Sequence, residues 1–285
     1  MHDSRYSCNG MVNIFPSYVK KMSVRLLSIL SLAVGMNFIS CCNTNPGSPT
    51  TQNGTLAPDT TDVCQNPTVD VSETDSLKLY KPSFNGGIGL LCEYDCHPTE
   101  GDERVFVAAG AYTKSYNWSK FDHGLIAGPH IDDKFYEGYV EPANSGAFYY
   151  LHSEKRWGFV HEGFEQTLRD IAAAGGPCVG FSQVMLLSEG EVCSIHSRSN
   201  PSKLRHRRAL CDINHELYIV DSKYKVTLFE FAECLKTLGA INALYMDMGS
   251  MRYSAYREYD GGEWVEIHPR NRLTKYCSNY LVFYR

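Results

Sequence analysis

Apolar and polar positions alternate most regularly between residues 215 and 250. A short apolar run at 217–220, bounded by turn-forming residues, predicts a strand because it is too brief for a helix. Residues 241–246 are apolar except for one asparagine, which is typical of a strand that is covered on both faces. Between these two runs the apolar residues recur at helical spacing, so the segment predicts a strand, a helix and a second strand.

The helix in this segment has clear start and stop signals. Thr227 stands three positions before Glu230, the spacing of a reciprocal N-terminal cap, and Gly239 follows the last apolar position. Two strands joined by one helix are expected to run parallel through a right-handed crossover. Ligands of parallel sheets collect outside the carboxyl ends of the strands, where Asp247 falls. The alternative interpretation is that Asp247 only ends a strand and begins a turn.

The rest of the chain shows further short apolar runs separated by turn residues. A core strand is predicted at 105–112 and a helix at 162–174, and late strands at 264–267 and 280–284. Three hairpins are predicted: 148–151 with 157–160, 184–187 with 191–195, and 208–213 with 217–220. Several hairpins and one crossover helix predict an α+β fold: a mixed β-sheet with hairpins and a βαβ crossover, and helices packed on the sheet.

The N-terminal region has the features of an export signal. Basic residues precede an apolar stretch at 26–39 that is too short to span a bilayer. Ile39, Ser40 and Cys41 resemble the lipobox of bacterial lipoproteins, in which the cysteine is acylated. Residues 1–41 are therefore predicted to be a signal peptide with Cys41 as the lipidation site, which implies an exported protein anchored to a membrane of the cell envelope. An ordinary secretory signal is the alternative.

Composition separates a linker from a folded domain. Residues 42–75 are rich in Asn, Thr, Pro, Gly and Ser, which predicts a flexible linker. Residues 76–285 are predicted to be the folded domain, and a chain of 285 residues with 43% apolar residues can build a sizeable core. The net charge of −5 argues against general affinity for nucleic acid.

The cysteines give no clear metal signal. Cys92, Cys96 and His97 lie close together, but the sequence offers no second ligand pair at metal-binding spacing. We therefore predict no cofactor and no metal site, although the sequence does not settle metal dependence. Export would permit disulfides, and their connectivity cannot be derived from the sequence.

Residues 226–250, VTLFEFAECLKTLGAINALYMDMGS, resemble the signature of the phosphodiester glycosidase domain family, to which the lysosomal uncovering enzyme belongs. That signature runs from a helix of the type "vtl-eFA-lL--LG" into "nALyLDGG-S". Weaker similarities at 107–112, 123–126, 183–190 and 207–212 follow in the same order, so the resemblance covers about residues 100–255. It implies a carbohydrate or sugar-phosphate substrate as the partner of the domain.

The resemblance implies a set of site residues. Asp247 would be the catalytic carboxylate, and Arg207 would bind an anion through its planar guanidinium. The remaining basic residues near Arg207 are interpreted as a solvated loop. The implied substrate-binding residues are Ser250, Gly249, Gln183, His123, Tyr112 and Gly110. Each has a structural alternative, such as a turn cap for Ser250 or a surface histidine for His123.

Three positions depart from the family pattern. Ala109 replaces an asparagine of the first glycine turn, Met248 replaces the middle glycine of "DGG", and Cys211 replaces a glycine after "R-av". The expected function is an exported hydrolase that cleaves a sugar phosphodiester or a related envelope glycan. The alternative is a catalytically inactive glycan-binding lipoprotein of the same fold. The sequence does not reveal the sugar, the linkage or the oligomeric state.

Overall fold

The structure is a computed structural model that describes residues 66–93, 95, 97–114, 121–196 and 200–285. The predicted signal peptide with Cys41, and residues 42–65 of the predicted linker, lie outside the described residues. The end of that linker is described, and residues Val69–Glu73 form a strand paired with Leu77–Pro82. Ordered structure therefore begins before residue 76, because hydrogen bonds to a neighbouring strand hold a segment whose composition is polar.

The described residues form seventeen strands and two α-helices. In chain order the strands are β1 (Val69–Glu73), β2 (Leu77–Pro82), β3 (Gly87–Leu91), β4 (Arg104–Ala109), β5 (His130–Asp132), β6 (Lys134–Tyr136), β7 (Gly146–Leu151), β8 (Arg156–Val160), β9 (Cys178–Gln183), β10 (Met185–Ser188), β11 (Glu191–Val192), β12 (Arg208–Ile213), β13 (Glu216–Ser222), β14 (Ala240–Tyr245), β15 (Ser254–Arg257), β16 (Trp264–His268) and β17 (Tyr280–Tyr284). The helices are α1 (Phe164–Ala174) and α2 (Leu228–Thr237), and short 3-10 turns occur at His123–Leu125 and Thr274–Tyr276.

These strands form three sheets. The first has seven strands in the order β1-β2-β13-β12-β14-β10-β11, the second has the order β16-β15-β4-β17-β3, and the third has the order β6-β5-β9-β7-β8. All neighbouring strands in the three sheets pair antiparallel. The predicted α+β class, with a mixed sheet and helices packed on it, is therefore wrong. The fold is mostly β, with three antiparallel sheets and two α-helices in the described residues.

The predicted βαβ unit illustrates the error. β13, α2 and β14 follow one another as the periodicity indicates, but β12 lies between β13 and β14 and pairs antiparallel with both. Strands β13 and β14 therefore point the same way without being neighbours. The apolar runs that suggested a parallel sheet instead reflect an antiparallel sheet that is buried on both faces.

The local signals of α2 are confirmed. The Thr227 side chain accepts a hydrogen bond from the backbone N–H of Glu230 at 3.1 Å, and the Glu230 carboxylate accepts one from the N–H of Thr227 at 2.8 Å. This capping box satisfies two of the N–H groups that a helix start leaves open. The apolar face of α2 is buried through Leu228, Phe231, Ala232 and Leu235.

Residues of the seven-stranded sheet face two hydrophobic clusters, one on each side. On one face, Leu210 and Ile219 join a cluster with residues from the other two sheets, including Phe106 and Phe181. On the other face, Ala209, Cys211 and Val220 join the apolar face of α2. Because side chains alternate along a strand, consecutive residues of β12 and β13 serve opposite faces.

The three predicted hairpins are present as β7–β8, β10–β11 and β12–β13. The predicted helix at 162–174 corresponds to α1, and the late strands correspond to β16 and β17. In the described ranges, no helix has the length and apolar character needed to cross a membrane.

Candidate active site

Asp247 lies two residues beyond the end of β14 and is 4% exposed. Its backbone N–H donates to the carbonyl of Gly110 at 2.8 Å, which joins the segment after β14 to the segment after β4. Its Oδ1 accepts a hydrogen bond from the N–H of Gly249 at 2.7 Å, so the carboxylate is held by its own turn. Three of the predicted site residues, Asp247, Gly110 and Gly249, are thus in direct contact.

Gly110 is constrained by a buried amide. A Cβ atom at this position would lie 2.7 Å from Oδ1 of Asn279, so a side chain would displace that amide. Asn279 is fully buried, and its Oδ1 accepts from the N–H of Ala111 at 2.7 Å. Its Nδ2 donates to the carbonyl of Ala111 at 3.1 Å and to the hydroxyl of Thr113 at 3.3 Å. Asn279 therefore fixes the turn whose carbonyl meets Asp247.

Arg207 is 1% exposed, and backbone carbonyls hold its guanidinium. Nη2 donates to the carbonyl of Lys203 at 2.6 Å, and Nε donates to the carbonyl of Val226 at 3.3 Å. Nη1 donates to the hydroxyl of Tyr245 at 3.4 Å. All three guanidinium nitrogens of Arg207 therefore donate to groups of the chain itself.

Tyr245 connects Arg207 with Asp247. Burial raises the pKa of the Tyr245 hydroxyl, the neighbouring Arg207 lowers that pKa, and the negative charge of Asp247 raises it. The pairing of Ala209 with Tyr245 across β12 and β14 places this phenol beside Arg207. The hydroxyl therefore lies within the electrostatic reach of both predicted catalytic residues.

Tyr112 and Gln183 adjoin the same region. The ring of Tyr112 lies 6.0 Å from the ring of Tyr245, centroid to centroid, in an edge-on arrangement. Gln183, at the end of β9, is fully buried, and its Oε1 accepts from the N–H of Val184 at 3.1 Å, while the carbonyl of Val184 accepts from the N–H of Tyr245. Within the described residues the Nε2 of Gln183 has no hydrogen-bond partner, so it can donate to an acceptor.

Ser250 is exposed, and it follows the turn of Asp247. Its carbonyl accepts a hydrogen bond from Nδ2 of Asn271 at 3.0 Å, and the carbonyl of Gly249 accepts one from the N–H of Arg252 at 3.3 Å. These bonds tie the turn to the following segment.

His123 belongs to a different cluster, in which its ring stacks on Tyr136 at 3.4 Å. The Nδ1 of His130 lies 3.1 Å from the carbonyl of Gly128, so it must carry a proton and donate. The Nε2 of His130 then accepts from Nδ1 of His123 at 2.9 Å. With this tautomer the Nε2 of His123 carries no proton and can accept one. The His123 ring, however, contacts residues of the third sheet and not the turn of Asp247.

The departures from the family pattern are packed into the core. Cys211 and Met248 both belong to the cluster that α2 covers, and Ala109 is buried at the end of β4. In the described ranges, no three His, Cys, Asp or Glu side chains are grouped so that they could hold a metal ion.

Sequence reasoning missed Tyr245 and Asn279. Tyr245 was visible only as an apolar strand residue, and its position beside Arg207 depends on the pairing of β12 with β14. Asn279 stands directly before β17, and no local pattern distinguishes it from a turn residue.

No protein-family model matches the chain, and no curated protein is significantly similar to it. Among solved structures, the chain is similar to the catalytic domain of zebrafish N-acetylglucosamine-1-phosphodiester alpha-N-acetylglucosaminidase, described as auto-inhibited by its pro-peptide. That similarity has a TM-score of 0.51 and 14% identity, and it covers 78% of this chain and 83% of the other. A hypothetical protein from Synechocystis is similar at a TM-score of 0.44 and 14% identity, over 76% of this chain and 61% of the other. The first similarity shows a distantly related fold.

Proposed function

We propose that this chain is an exported glycoside hydrolase that cleaves a sugar phosphodiester or a related envelope glycan. The observation that carries the proposal is the position of Asp247, two residues after the buried Tyr245, whose hydroxyl accepts a hydrogen bond from Arg207. It is supported by the fold similarity to a catalytic domain that acts on a phosphodiester of N-acetylglucosamine. A fold does not fix an activity, so the geometry of the residues has to support the chemistry.

In the proposed reaction, water adds to the anomeric carbon and the bond from that carbon to the phosphate oxygen breaks. The phosphate leaves with the bridging oxygen, so it needs little protonation, and one carboxylate can suffice where most glycosidases use two. Asp247 acts as the general base that accepts the proton of the attacking water, and the phosphate leaves as its anion. The N–H of Gly249 orients Oδ1 of this carboxylate. Arg207 donates to the hydroxyl of Tyr245, and in the proposed reaction this hydroxyl in turn donates to the departing phosphate.

The test is hydrolysis of a panel of sugar-1-phosphodiesters by the wild type, Asp247→Asn and Asp212→Asn. Asp212 is a matched control because it is also buried in the seven-stranded sheet, at 6% exposure, where it accepts bonds from His215 and Asn242. Asp247→Asn is expected to lower kcat by about 10²- to 10⁴-fold, and Asp212→Asn is expected to retain activity. Equal activity of the wild type and Asp247→Asn would refute the catalytic role.

A second candidate function is a glycan-binding lipoprotein without catalysis. It is favoured by the packing of Met248 and Cys211 into the core and by the occupation of two guanidinium donors of Arg207 by backbone carbonyls. Binding of a glycan by the wild type without turnover of any substrate in the panel supports this candidate and rules out the hydrolase.

The proposal includes export and a lipid anchor at Cys41, which rest on the sequence of residues 1–41. Expressed in a bacterium with the lipoprotein pathway, the wild type is expected in the membrane fraction and Cys41→Ser is expected to be released. A soluble wild type would contradict the anchor and leave the proposed activity untouched.

A further inference from the structure

A cleft of about 310 Å³ lies between the seven-stranded sheet and the edge of the second sheet. Strands β2 and β13 form one wall and strands β15 and β16 form the other. The charged and aromatic side chains that line it are Lys78, Tyr80, His206, Asp221, Lys223, Tyr256, Glu266 and His268. None of them belongs to the candidate active site.

The cleft is on the opposite face of the sheet from Arg207. Arg208 pairs with Asp221 across β12 and β13, and Asp221 pairs with Lys78 across β13 and β2, so these three side chains form one row on one face. Arg207 precedes Arg208, so its side chain projects to the other face, where it meets Tyr245. The side chains of these two consecutive arginines therefore lie on opposite faces of the sheet.

Asp221, which lines the cleft, forms a buried ion pair with Arg208 behind it. Nε and Nη2 of Arg208 donate to the two carboxylate oxygens of Asp221, each at 2.6 Å. The side chains are 0% and 8% exposed, so the charge of Asp221 is neutralised at short range. Among the described residues, Nη1 of Arg208 is buried without a hydrogen-bond partner.

The walls of the cleft carry the positive charges of Lys78 and Lys223 and, on the exposed side, the negative charge of Glu266. The ammonium of Lys78 lies 5.5 Å from the ring centroid of Tyr80, and no carboxylate of the described ranges is within ion-pair distance of it. Lys223, in contrast, is paired with Glu73 at 3.5 Å. The pKa of His268 is lowered, first by burial and then by the positive charge of Arg208, which indicates that a cation is disfavoured at this point of the cleft.

We propose that this cleft binds a small oxyanion-bearing molecule, a phosphate ester or a carboxylate of about monosaccharide size. The unpaired ammonium of Lys78 is the main contact with the oxyanion, since a charge-assisted hydrogen bond is stronger than a neutral one. The imidazoles of His206 and His268 supply further donors. His206 donates through Nδ1 to the carbonyl of Ser222 at 3.4 Å, which sets the orientation of its ring. The volume lies at the lower end of the range for small-molecule sites.

The test follows the His268 imidazole by NMR during a pH titration of the full chain, with glucose 6-phosphate, glucuronate or uncharged glucose as the probe. A bound anion favours the protonated imidazole, so the two charged sugars, or one of them, should raise the pKa of His268, and glucose should leave it unchanged. The charged sugar with the larger effect identifies the oxyanion as phosphate or carboxylate. An unchanged pKa with both charged sugars would overturn the proposal.

Matched variants locate the contact. Lys78→Gln is expected to weaken binding of the charged sugar by about tenfold. Lys81→Gln, on the same strand, is the control because Lys81 pairs with Glu216 at 2.6 Å and does not line the cleft. Asp247→Asn should bind as the wild type does, so this result is independent of the proposed hydrolase activity. Equal weakening by Lys78→Gln and Lys81→Gln, or loss of binding in Asp247→Asn, would contradict the proposed site.

Discussion

Replacing Asp221 by asparagine should destabilise the fold more than replacing any comparable acidic residue of the same sheet. The change removes the negative charge that balances Arg208, whose side chain is 0% exposed and bound through two 2.6 Å hydrogen bonds. Removing one partner of a buried ion pair leaves an uncompensated charge, which costs about 3–5 kcal/mol. The Nη1 of Arg208 makes this site more sensitive, because within the described part of the chain this donor already lacks a partner.

The measurement is urea denaturation of the wild type, Asp221→Asn and Asp212→Asn. Asp212 has nearly the same exposure, 6% against 5%, but it accepts hydrogen bonds only from neutral donors, so its replacement should cost about 1–2 kcal/mol. The double variant Arg208→Met with Asp221→Leu removes both charges and should recover most of the loss. If Asp221→Asn is no less stable than Asp212→Asn, or if the double variant is less stable than Asp221→Asn, the reasoning about the buried pair is wrong.

Two further predictions concern single local features. Thr227→Ala removes the capping box of α2 and should lower the free energy of unfolding by about 1 kcal/mol, whereas Thr237→Ala at the other end of the helix should have little effect; equal effects would contradict the role of the cap. His130 has its pKa lowered to about 4, chiefly by burial, against an unfolded value of 6.5. Because the folded pKa is the lower one, the unfolded chain binds the proton first, and stability should fall as the pH drops from 6.5 towards 4, by up to ~3 kcal/mol. Urea denaturation between pH 6.5 and pH 4 should show this loss of stability in the wild type and a smaller loss in His130→Gln. If the stability of both proteins falls equally with pH, His130 is not the cause.

The local elements could be predicted because their causes are local. The cap of α2, the helical spacing of its apolar face and the turn residues of three hairpins all act within a few positions of the chain. The neighbours of each strand could not be predicted in this way. Periodicity reports which side of a strand is buried, and β12 is buried at all six positions, as a strand of a parallel sheet would be. Here the same pattern arises because three sheets and α2 cover both faces of an antiparallel sheet.

The candidate site shows the same limit. Asp247, Gly110 and Gly249 stand at positions that the motif marks, and the structure brings them into contact. Tyr245 and Asn279 depend on contacts between distant segments: Asn279 holds Ala111 across 168 residues of sequence. Such contacts follow from the order of strands in the sheets, which no short pattern encodes.

The register of β12 against β13 determines on which face of the sheet Arg207 and Arg208 lie. The sequence marks Arg207 as an anion-binding residue and predicts a strand that begins at Arg208, and in the structure both side chains are buried, at 1% and 0% exposure. The pairing of Arg208 with Asp221 fixes which arginine faces which side. A slip of one residue would exchange the two guanidinium groups and would leave Asp221 opposite an apolar neighbour or Arg207. The buried ion pair therefore fixes the register that keeps Arg207 beside Tyr245, so stability at one face of the sheet sets the geometry of the candidate active site at the other.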